Sequence, residues 1–386
     1  MPVLRSIAER FEAERPLDGI RVAACLHVTA ETAALARALT RGGAEVRLAA
    51  ANPLSTQDDV VGALDGGGIA VSSARGESVE DYVAHVKALV KAEPQITLDD
   101  GADLVTAVNA AGQTALGGTE ETTTGIVRLR HLADEGGLRY PVLALNEART
   151  ERTFNDRHGT GQSALDGILR ATNILLAGHT LVLLGYGFAG KGVAERARGA
   201  GAAVIVCEVD AFRALEARMD GFEVMPILDA AERGDLFVTV TGSRAVLRAE
   251  HFKRMKDGAI LANAGHFDVE VDLEGLSEMA VAPARQVLPL VEEFNLGDRR
   301  LHLLTRGRVV NLSAAEGHPA SVMDVSFALQ ALAVEHLVLH EGKLEPKVLP
   351  VPRELDDEVA RLKLAALGVE IDELTEGQRR YLTSWA

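Results

Sequence analysis

The chain has 386 residues, more than one compact hydrophobic core usually spans, so we expect two domains. Its formal net charge of -16 argues against a nucleic-acid partner, because phosphate backbones bind to basic surfaces. We find no signal-peptide pattern and no apolar run long enough to span a bilayer, so we expect a cytoplasmic protein with no membrane partner. Cys25 and Cys207 are too few for a disulfide framework, and neither lies in a metal-binding pattern.

Short apolar runs alternate with amphipathic helical patterns from residue 20 onward, which predicts an α/β fold with parallel sheets. The runs IRVAACLHV (20–28), AEVRLAA (44–50), QITLDDG (95–101) and YPVLALN (140–146) predict the first strands. Ligands bind at the carboxyl ends of parallel strands in such folds. Four polar residues fall at these ends, namely His27, Asn52, Asp99 and Asp100. Each of them alone fits a cap or a turn, but the four together favour a binding site.

The clearest motif is HTLVLLGYGFAGKGVAERARGAGAAVIVCEVD (179–210), which predicts a strand, a glycine-rich turn, a helix and a second strand. Gly185 permits the tight turn, Gly187 lets the backbone approach a pyrophosphate, and Gly190 lets the helix pack against the strand. The start of the helix presents free N–H donors and a positive potential to phosphate groups. The motif therefore predicts a dinucleotide site.

Glu208 ends the second strand of this motif and indicates which dinucleotide binds. A carboxylate there accepts a hydrogen bond from the ribose 2′-hydroxyl and repels a 2′-phosphate, which favours NAD over NADP. The later runs LFVTVTGSRAV (236–246) and GAILANAGHFD (258–268) predict strands whose ends line the same crevice. Further residues predicted to contact NAD are Phe188, Ala189, Thr241, Gly242 and Gly265.

These patterns predict two doubly wound, Rossmann-like domains and a C-terminal helical arm. Residues 1–161 are expected to form a substrate or catalytic domain, and residues 162–316 an NAD-binding domain. A long helical pattern within residues 317–350 is expected to return the chain to the first domain. Residues 351–386 are expected to form an arm for oligomerisation.

The chain resembles the S-adenosylhomocysteine hydrolase (adenosylhomocysteinase) family along almost its whole length. The stretches CLHVTAETA (25–33), LDDGADL (98–104), EETTTG (120–125) and VVNLSAAEGHPASVMD (309–324) look like signatures of that family, in its order. The resemblance implies a homotetramer or homodimer that binds NAD and an adenine nucleoside. It also implies a reaction in which the ribose 3′-hydroxyl is transiently oxidised, a base removes the C4′ proton, and the 5′ substituent leaves.

The resemblance assigns roles to individual residues. Those that handle the C4′ proton and the leaving group would be His27, Asp100 and His266, and Glu121 would hold the ribose hydroxyls. Those that contact the substrate would be Leu26, Thr29, Glu31, Gln57 and His318. Those that contact NAD would be Thr122, Thr123, Thr124, Gly187, Glu208, Asn263 and Asn311.

One segment, ERTFNDRHG (151–159), departs from the family pattern, which reads Lys-x-x-Phe-Asp-Asn-x-Tyr-Gly. Glu151 replaces the lysine that assists oxidation of the 3′-hydroxyl, Asn155 replaces the aspartate, Asp156 the asparagine and His158 the tyrosine. A buried, ionised carboxylate is a stronger base than a free one, so Glu151 could take the 3′-hydroxyl proton itself. We therefore predict an altered catalytic set of Glu151, Asn155 and Asp156.

Three functions fit these observations. The first is a dehydratase or eliminase in nucleoside antibiotic biosynthesis, such as one converting psicofuranine (angustmycin C) to angustmycin A. The second is a genuine S-adenosylhomocysteine hydrolase that releases adenosine and homocysteine. The third is a catalytically inactive NAD-binding regulator. The altered segment beside intact elimination residues favours the first.

Overall fold

The structure, a computed structural model, describes residues 1–385 and contains two open sheets. The first sheet is entirely parallel, with the strand order β15-β6-β5-β4-β1-β2-β3. Its strands are β1 Arg21–Leu26, β2 Glu45–Ala50, β3 Ala70–Ser72, β4 Ile96–Asp99, β5 Gly117–Glu120, β6 Val142–Ala144 and β15 Val348–Pro350. The order reverses between β4 and β1, which places the ends of these two strands at a ligand-binding position.

The second sheet has the order β12-β13-β14-β11-β10-β7-β8-β9, parallel except for the antiparallel pairs β12–β13 and β13–β14. Its strands are β7 Thr180–Leu184, β8 Ala203–Cys207, β9 Glu223–Val224, β10 Leu236–Thr239, β11 Ala259–Asn263, β12 Arg285–Leu288, β13 Val291–Asn295 and β14 Arg300–Leu304. Here the order reverses between β10 and β7, directly beside the glycine-rich turn. The predicted fold class, with two doubly wound domains, is confirmed.

Helices cover the sheets and continue beyond them. They are α1 Pro2–Glu14, α2 Ala30–Arg41, α3 Asp58–Asp65, α4 Val79–Lys91, α5 Asp103–Ala110, α6 Thr123–Asp134, α7 Gly161–Thr172, α8 Phe188–Gly199, α9 Ala211–Met219, α10 Ile227–Ala231, α11 Ala249–Phe252, α12 Leu273–Met279, α13 Val310–Ser313, α14 Ala320–Leu339, α15 Arg353–Ala366 and α16 Glu376–Thr383. The last helix buries none of its residues, as expected for an arm.

Helix α14 is the central helix of the first domain. It packs on α1, α2, α15 and β5, and its apolar side chains belong to the core of the first sheet. It is also long and apolar enough to cross a membrane, so the expectation that the sequence holds no such run is wrong. Its most apolar 18-residue window is 72% buried within the protein, as in a core helix.

The altered segment forms a π-helix, Glu151–Thr160, that leads directly into α7. Close glycine contacts fix its position. A Cβ built at Gly192 of α8 would collide with the carbonyl oxygen of Arg157, and one built at Gly161 would lie 2.5 Å from the carbonyl carbon of Gly192. The segment and the cofactor-binding helix α8 therefore pack backbone against backbone.

Replacing Gly192 with alanine is expected to destabilise the protein by about 1–3 kcal/mol, because the new methyl group must displace backbone rather than a flexible side chain. Urea unfolding would measure the change. Gly199→Ala is the matched control, since a Cβ at Gly199 in the same helix meets no atom within 4 Å. Equal stability of the two variants would contradict the tight packing.

Candidate active site

A cavity of about 1340 Å³ opens at the carboxyl ends of the parallel strands of both sheets. Its wall contains these predicted site residues: Leu26, His27, Thr29, Glu31, Asp100, Glu121, Thr122, Thr123, Thr124, Asn155, Asp156, Gly185, Gly187, Phe188, Ala189, Glu208, Thr241, Gly242, Gly265, His266, Asn311 and His318. Six predicted residues lie outside the wall: Asn52, Gln57, Asp99, Glu151, Gly190 and Asn263. The two domains therefore share one site.

Asp100 lies between two histidines that come from different domains. Its Oδ2 is 3.5 Å from His27 Nε2, and its Oδ1 is 3.3 Å from His266 Nδ1. The neighbouring Gly101 has φ +113°, and a Cβ there would lie 2.9 Å from His266 Nε2, so glycine lets the two loops meet. One potential ligand atom from each of these three side chains lies within 4.8 Å of the other two. This spacing would also allow the three to bind one metal ion. The absence of a metal stays a prediction.

Ser55, which sequence reasoning did not select, fixes the tautomer of His27. Its hydroxyl donates to the carbonyl of Asn52 at 2.8 Å and lies 2.6 Å from His27 Nδ1. Since a hydroxyl has one proton, it must accept from Nδ1–H, which leaves Nε2 of the neutral ring as the free base. Burial lowers the pKa of His27, so the ring is held neutral. The arrangement can accept a proton at Nε2 and stabilise the resulting cation with Asp100.

Buried carboxyl groups face this histidine pair. Burial is the main cause that raises the pKa of Glu121 above its usual range, and the charges of Asp100 and Glu151 add to it. Burial likewise raises the pKa of Glu151 to about 8 and that of Asp156 to about 7. Glu121 Oε1 and Glu151 Oε1 are buried without a hydrogen-bond partner among the described residues. Glu121 lies on the cavity wall, so its Oε1 can accept from a hydroxyl group of a ligand.

Glu151 and Asn155 meet through a residue of α14. Ser326 Oγ donates to Glu151 Oε2 at 3.0 Å, and Asn155 Nδ2 lies 2.8 Å from the same hydroxyl. Ser326 and Glu151 are 4% and 7% exposed, so water is largely excluded from this contact. Glu151 therefore lies just behind the wall that Asn155 lines. His158 faces Arg196 at 3.3 Å and does not reach the wall.

The glycine-rich turn fits the pyrophosphate of NAD. Gly185 has φ +103°, and a Cβ at Gly190 would collide with the carbonyl oxygen of Gly185. A Cβ at Gly187, in contrast, would meet its nearest atom only at 3.7 Å, so space remains beside the backbone for a ligand. Helix α8 starts after Gly187 without a side-chain cap, which leaves its first N–H groups free for phosphate.

Polar groups in the second domain complete the cofactor site. Asn311 Oδ1 is buried on the wall and has no hydrogen-bond partner within residues 1–385, so it can accept from the amide of a nicotinamide ring. The Asn263 side chain is occupied instead, because it accepts from Gly265 N at 2.7 Å and donates to Phe267 O at 2.8 Å. Asn263 thus holds the loop, and its direct contact with NAD stays a prediction.

Glu270 is a second residue that sequence reasoning missed. Its buried carboxylate accepts from Thr241 N at 3.0 Å, from Thr241 Oγ1 at 2.8 Å and from Gly242 N at 2.8 Å. It therefore fixes the loop that carries two predicted NAD contacts.

His318 is a neutral histidine on the cavity wall. Its Nε2 forms a hydrogen bond with Thr160 Oγ1 at 3.1 Å. Burial lowers the pKa of His318 to about 4, which keeps the ring neutral.

Comparisons with known proteins agree with this architecture. Residues 1–116 match the family described as S-adenosyl-L-homocysteine hydrolase, and residues 156–317 match its NAD binding domain. The adenosylhomocysteinase of Aquifex aeolicus is 58% identical over 100% of this chain and 93% of its own length. The chain belongs to the S-adenosyl-L-homocysteine hydrolase family. It is thus an NAD-dependent enzyme of a hydrolase family, and the prediction of NAD is confirmed.

Two further relatives show the breadth of the S-adenosyl-L-homocysteine hydrolase family. The adenosylhomocysteinase of Saccharolobus solfataricus is 56% identical over 100% of this chain and 93% of its own length. The S-inosyl-L-homocysteine hydrolase of Methanopyrus kandleri is 52% identical over 100% of this chain and 92% of its own length. Relatives with similar sequence identity to this chain are thus named for different nucleoside substrates.

Replacing Glu208 with glutamine is expected to weaken discrimination against NADP about tenfold, because the amide no longer repels a 2′-phosphate. Glu208 Oε2 accepts from Tyr186 N at 2.7 Å, and glutamine keeps the size of the side chain there. The NAD and NADP contents of protein loaded with both would be measured by chromatography. Glu223→Gln is the control, because it removes a carboxylate from an exposed ion pair of the same domain. Unchanged discrimination would remove Glu208 from the ribose site.

Proposed function

We propose that this enzyme removes the 5′ substituent of an adenine nucleoside by transient oxidation of the sugar, proton abstraction and elimination. The observation that carries the proposal is the His27–Asp100–His266 group, which faces buried carboxyl groups across one cavity beside the dinucleotide turn. NAD held at the glycine-rich turn of Gly185 and Gly187 would supply a reversible acceptor for the hydride of the sugar carbon. His27 Nε2 is free to take the proton of the adjacent carbon, and Asp100 stabilises the charge formed.

Glu151 takes the part of the base for the sugar hydroxyl in this proposal. Its pKa of about 8 means that the carboxylate and the acid are both accessible near neutral pH, as a reversible proton acceptor requires. Glu121 lies on the cavity wall, and its Oε1 has no hydrogen-bond partner in the part of the chain that the structure describes, so it can accept from the same sugar hydroxyls. These retained acid and base groups argue against the inactive regulator.

The names of the relatives favour S-adenosyl-L-homocysteine as the substrate, with adenosine and homocysteine as products, over the dehydratase expected from the sequence. Identity of 52–58% over the whole chain extends through both domains. Hydrolysis of this thioether is therefore the first candidate.

Glu151 and Asn155 favour a second candidate, elimination of water from a hydroxylated nucleoside such as psicofuranine. Replacing an ammonium–carboxylate pair by a carboxylate–amide pair makes the local charge more negative by about one unit. Hydroxide is a poor leaving group that needs a proton from an acid, whereas a thiolate needs less assistance. A site rich in carboxyl groups with raised pKa values can supply that proton.

A product assay separates the two candidates. NAD-loaded protein is incubated with S-adenosyl-L-homocysteine or with psicofuranine, and the products are identified by mass spectrometry. Adenosine and homocysteine at an ordinary enzymatic rate would establish the hydrolase. Loss of one water from psicofuranine without thioether cleavage would establish the dehydratase. Neither product, with NAD bound, would refute the proposed chemistry for both.

We further propose that the C-terminal arm joins copies of this chain into a homodimer or homotetramer. Its last helix leaves Tyr381 and Leu382 at 78% and 67% exposed, and Trp385 follows it fully exposed. Light scattering of the full chain and of a chain ending at residue 370 would test this. Fewer copies per particle for the shortened chain would support the proposal, and an unchanged number of copies would refute it.

A further inference from the structure

We propose that Ser326 is a positioning residue, whose single hydroxyl proton is directed onto Glu151 by the side-chain amide of Asn155. Glu151 and Asn155 are then a chemically matched pair rather than two independent replacements. This inference deepens the proposed function, on which it rests for the role of Glu151 as a base.

The polarity of the contact follows from proton counting. A serine hydroxyl has one proton and can accept from other donors, while an ionised carboxylate can only accept. Ser326 therefore donates to Glu151 Oε2 at 3.0 Å, and the group 2.8 Å away on its other side must be a donor. The amide nitrogen of Asn155 meets that condition. An aspartate at 155 would instead compete with Glu151 for the same proton.

The surroundings leave few substitutes for this contact. Glu151 Oε1 has no partner among the described residues, and the hydrogen bond from Ser326 to Oε2 favours its charged form. Among the described residues, three carboxyl groups act on Glu151: Asp156 of its own segment, Asp356 of α15 and Glu121 after β5. Their negative charges oppose ionisation. The Ser326 hydroxyl is therefore what keeps the carboxylate accessible near neutral pH.

The test follows the ionisation of Glu151 directly, in NAD-loaded protein. Infrared difference spectroscopy detects the C=O band of a protonated carboxyl group, and its absence in Glu151→Gln assigns the band. Ser326→Ala is expected to move the midpoint of this titration upward by about one pH unit or more, because a hydrogen bond to the charged form is lost. Asn155→Asp is expected to move it at least as far in the same direction.

Two controls separate positioning from a general structural effect. Ser326→Thr keeps the hydroxyl and is expected to restore the titration of the parent protein. Ser313→Ala removes a buried hydroxyl that has no hydrogen-bond partner among the described residues, and it is expected to leave the titration unchanged. In the double variant Asn155→Asp/Ser326→Ala, the shift of the titration midpoint should be smaller than the sum of the two single shifts. Both substitutions act through the same hydroxyl proton.

The rate profile gives a second readout. A carboxyl group acts as a base only when it is ionised. An upward shift of the Glu151 pKa therefore moves the rising limb of the pH–rate profile of Ser326→Ala to higher pH. The rate at pH 7 should fall about tenfold and recover in alkaline buffer.

The infrared titration distinguishes failure of this inference from failure of the proposed function. If neither nucleoside reacts but Ser326→Ala still shifts the Glu151 band, the positioning role stands and the proposed function fails. If product forms but the band of Ser326→Ala or Asn155→Asp titrates as in the parent, the positioning role is overturned.

Discussion

Replacement of Asp100 by asparagine is expected to lower the turnover rate by about 10²–10⁴-fold, the usual contribution of a positioned acid–base group. The carboxylate faces His27 Nε2 at 3.5 Å and His266 Nδ1 at 3.3 Å. A neutral amide cannot stabilise a protonated imidazole, and its NH₂ group would donate to the free Nε2 and occupy the base. The rate would be measured on whichever nucleoside the enzyme converts.

The same substitution should leave the fold intact or stabilise it. The charge of Asp100 helps to raise the pKa of both Glu120 and Glu121, so its removal relieves repulsion among buried carboxyl groups. Thermal unfolding of the NAD-loaded protein would show whether the midpoint is kept. Asp166→Asn, which alters an exposed ion pair on α7, is the control for a lost surface charge. A variant of Asp100 that keeps its rate within fivefold would remove this residue from the chemistry.

Replacement of Glu151 by glutamine is expected to lower the turnover rate by a similar factor of about 10²–10⁴, because the amide cannot accept a proton from the sugar hydroxyl. Glu151→Lys, which introduces the residue implied by the family resemblance, should also impair the reaction on the enzyme's own substrate. The ammonium group would lie beside Ser326 and Asn155, which are arranged to favour an anion. A gain in rate for Glu151→Lys would contradict the role of Glu151 as a base.

Stability should respond to pH in a way that identifies Glu151. Burial raises its pKa from an ordinary value of 4.5 to about 8, so the folded protein binds this proton more tightly than the unfolded chain does. The contribution of Glu151 to stability therefore falls as pH rises from 4.5 to 8 and is constant outside that window. Glu151→Gln removes this loss of stability, which is on the order of 5 kcal/mol when complete.

Urea unfolding at pH 5 and at pH 8.5 would measure this difference. The glutamine variant should gain stability relative to the parent at the higher pH, and the two proteins should converge at the lower pH. Ser313→Ala serves again as a buried control whose effect on stability should not depend on pH. An equal difference between Glu151→Gln and the parent at both values would show that Glu151 ionises normally in the folded protein.

Most of the fold could be predicted because its signals are local. The runs at 20–28 and 95–101 contain β1 and β4, in which nearly every side chain is buried, since helices cover both faces of a parallel sheet. The glycine spacing at 185–190 fixed the dinucleotide turn through backbone conformation and close approach. The long helix α14 was predicted as a helix, but its burial depends on the packing of five other elements, the π-helix among them, and is not visible in its composition.

The sequence by itself determined the two doubly wound sheets, the dinucleotide turn and NAD, because each follows from a short run of residue types, and the family resemblance indicated many of the residues on the cavity wall. Only the tertiary structure decided how these residues act. Ser55 sets the free nitrogen of His27, and Ser326, 175 positions from Glu151, connects it to Asn155. Hydrogen bonds between distant segments depend on how helices pack and on which protons their groups hold. No periodicity along the chain encodes such pairings.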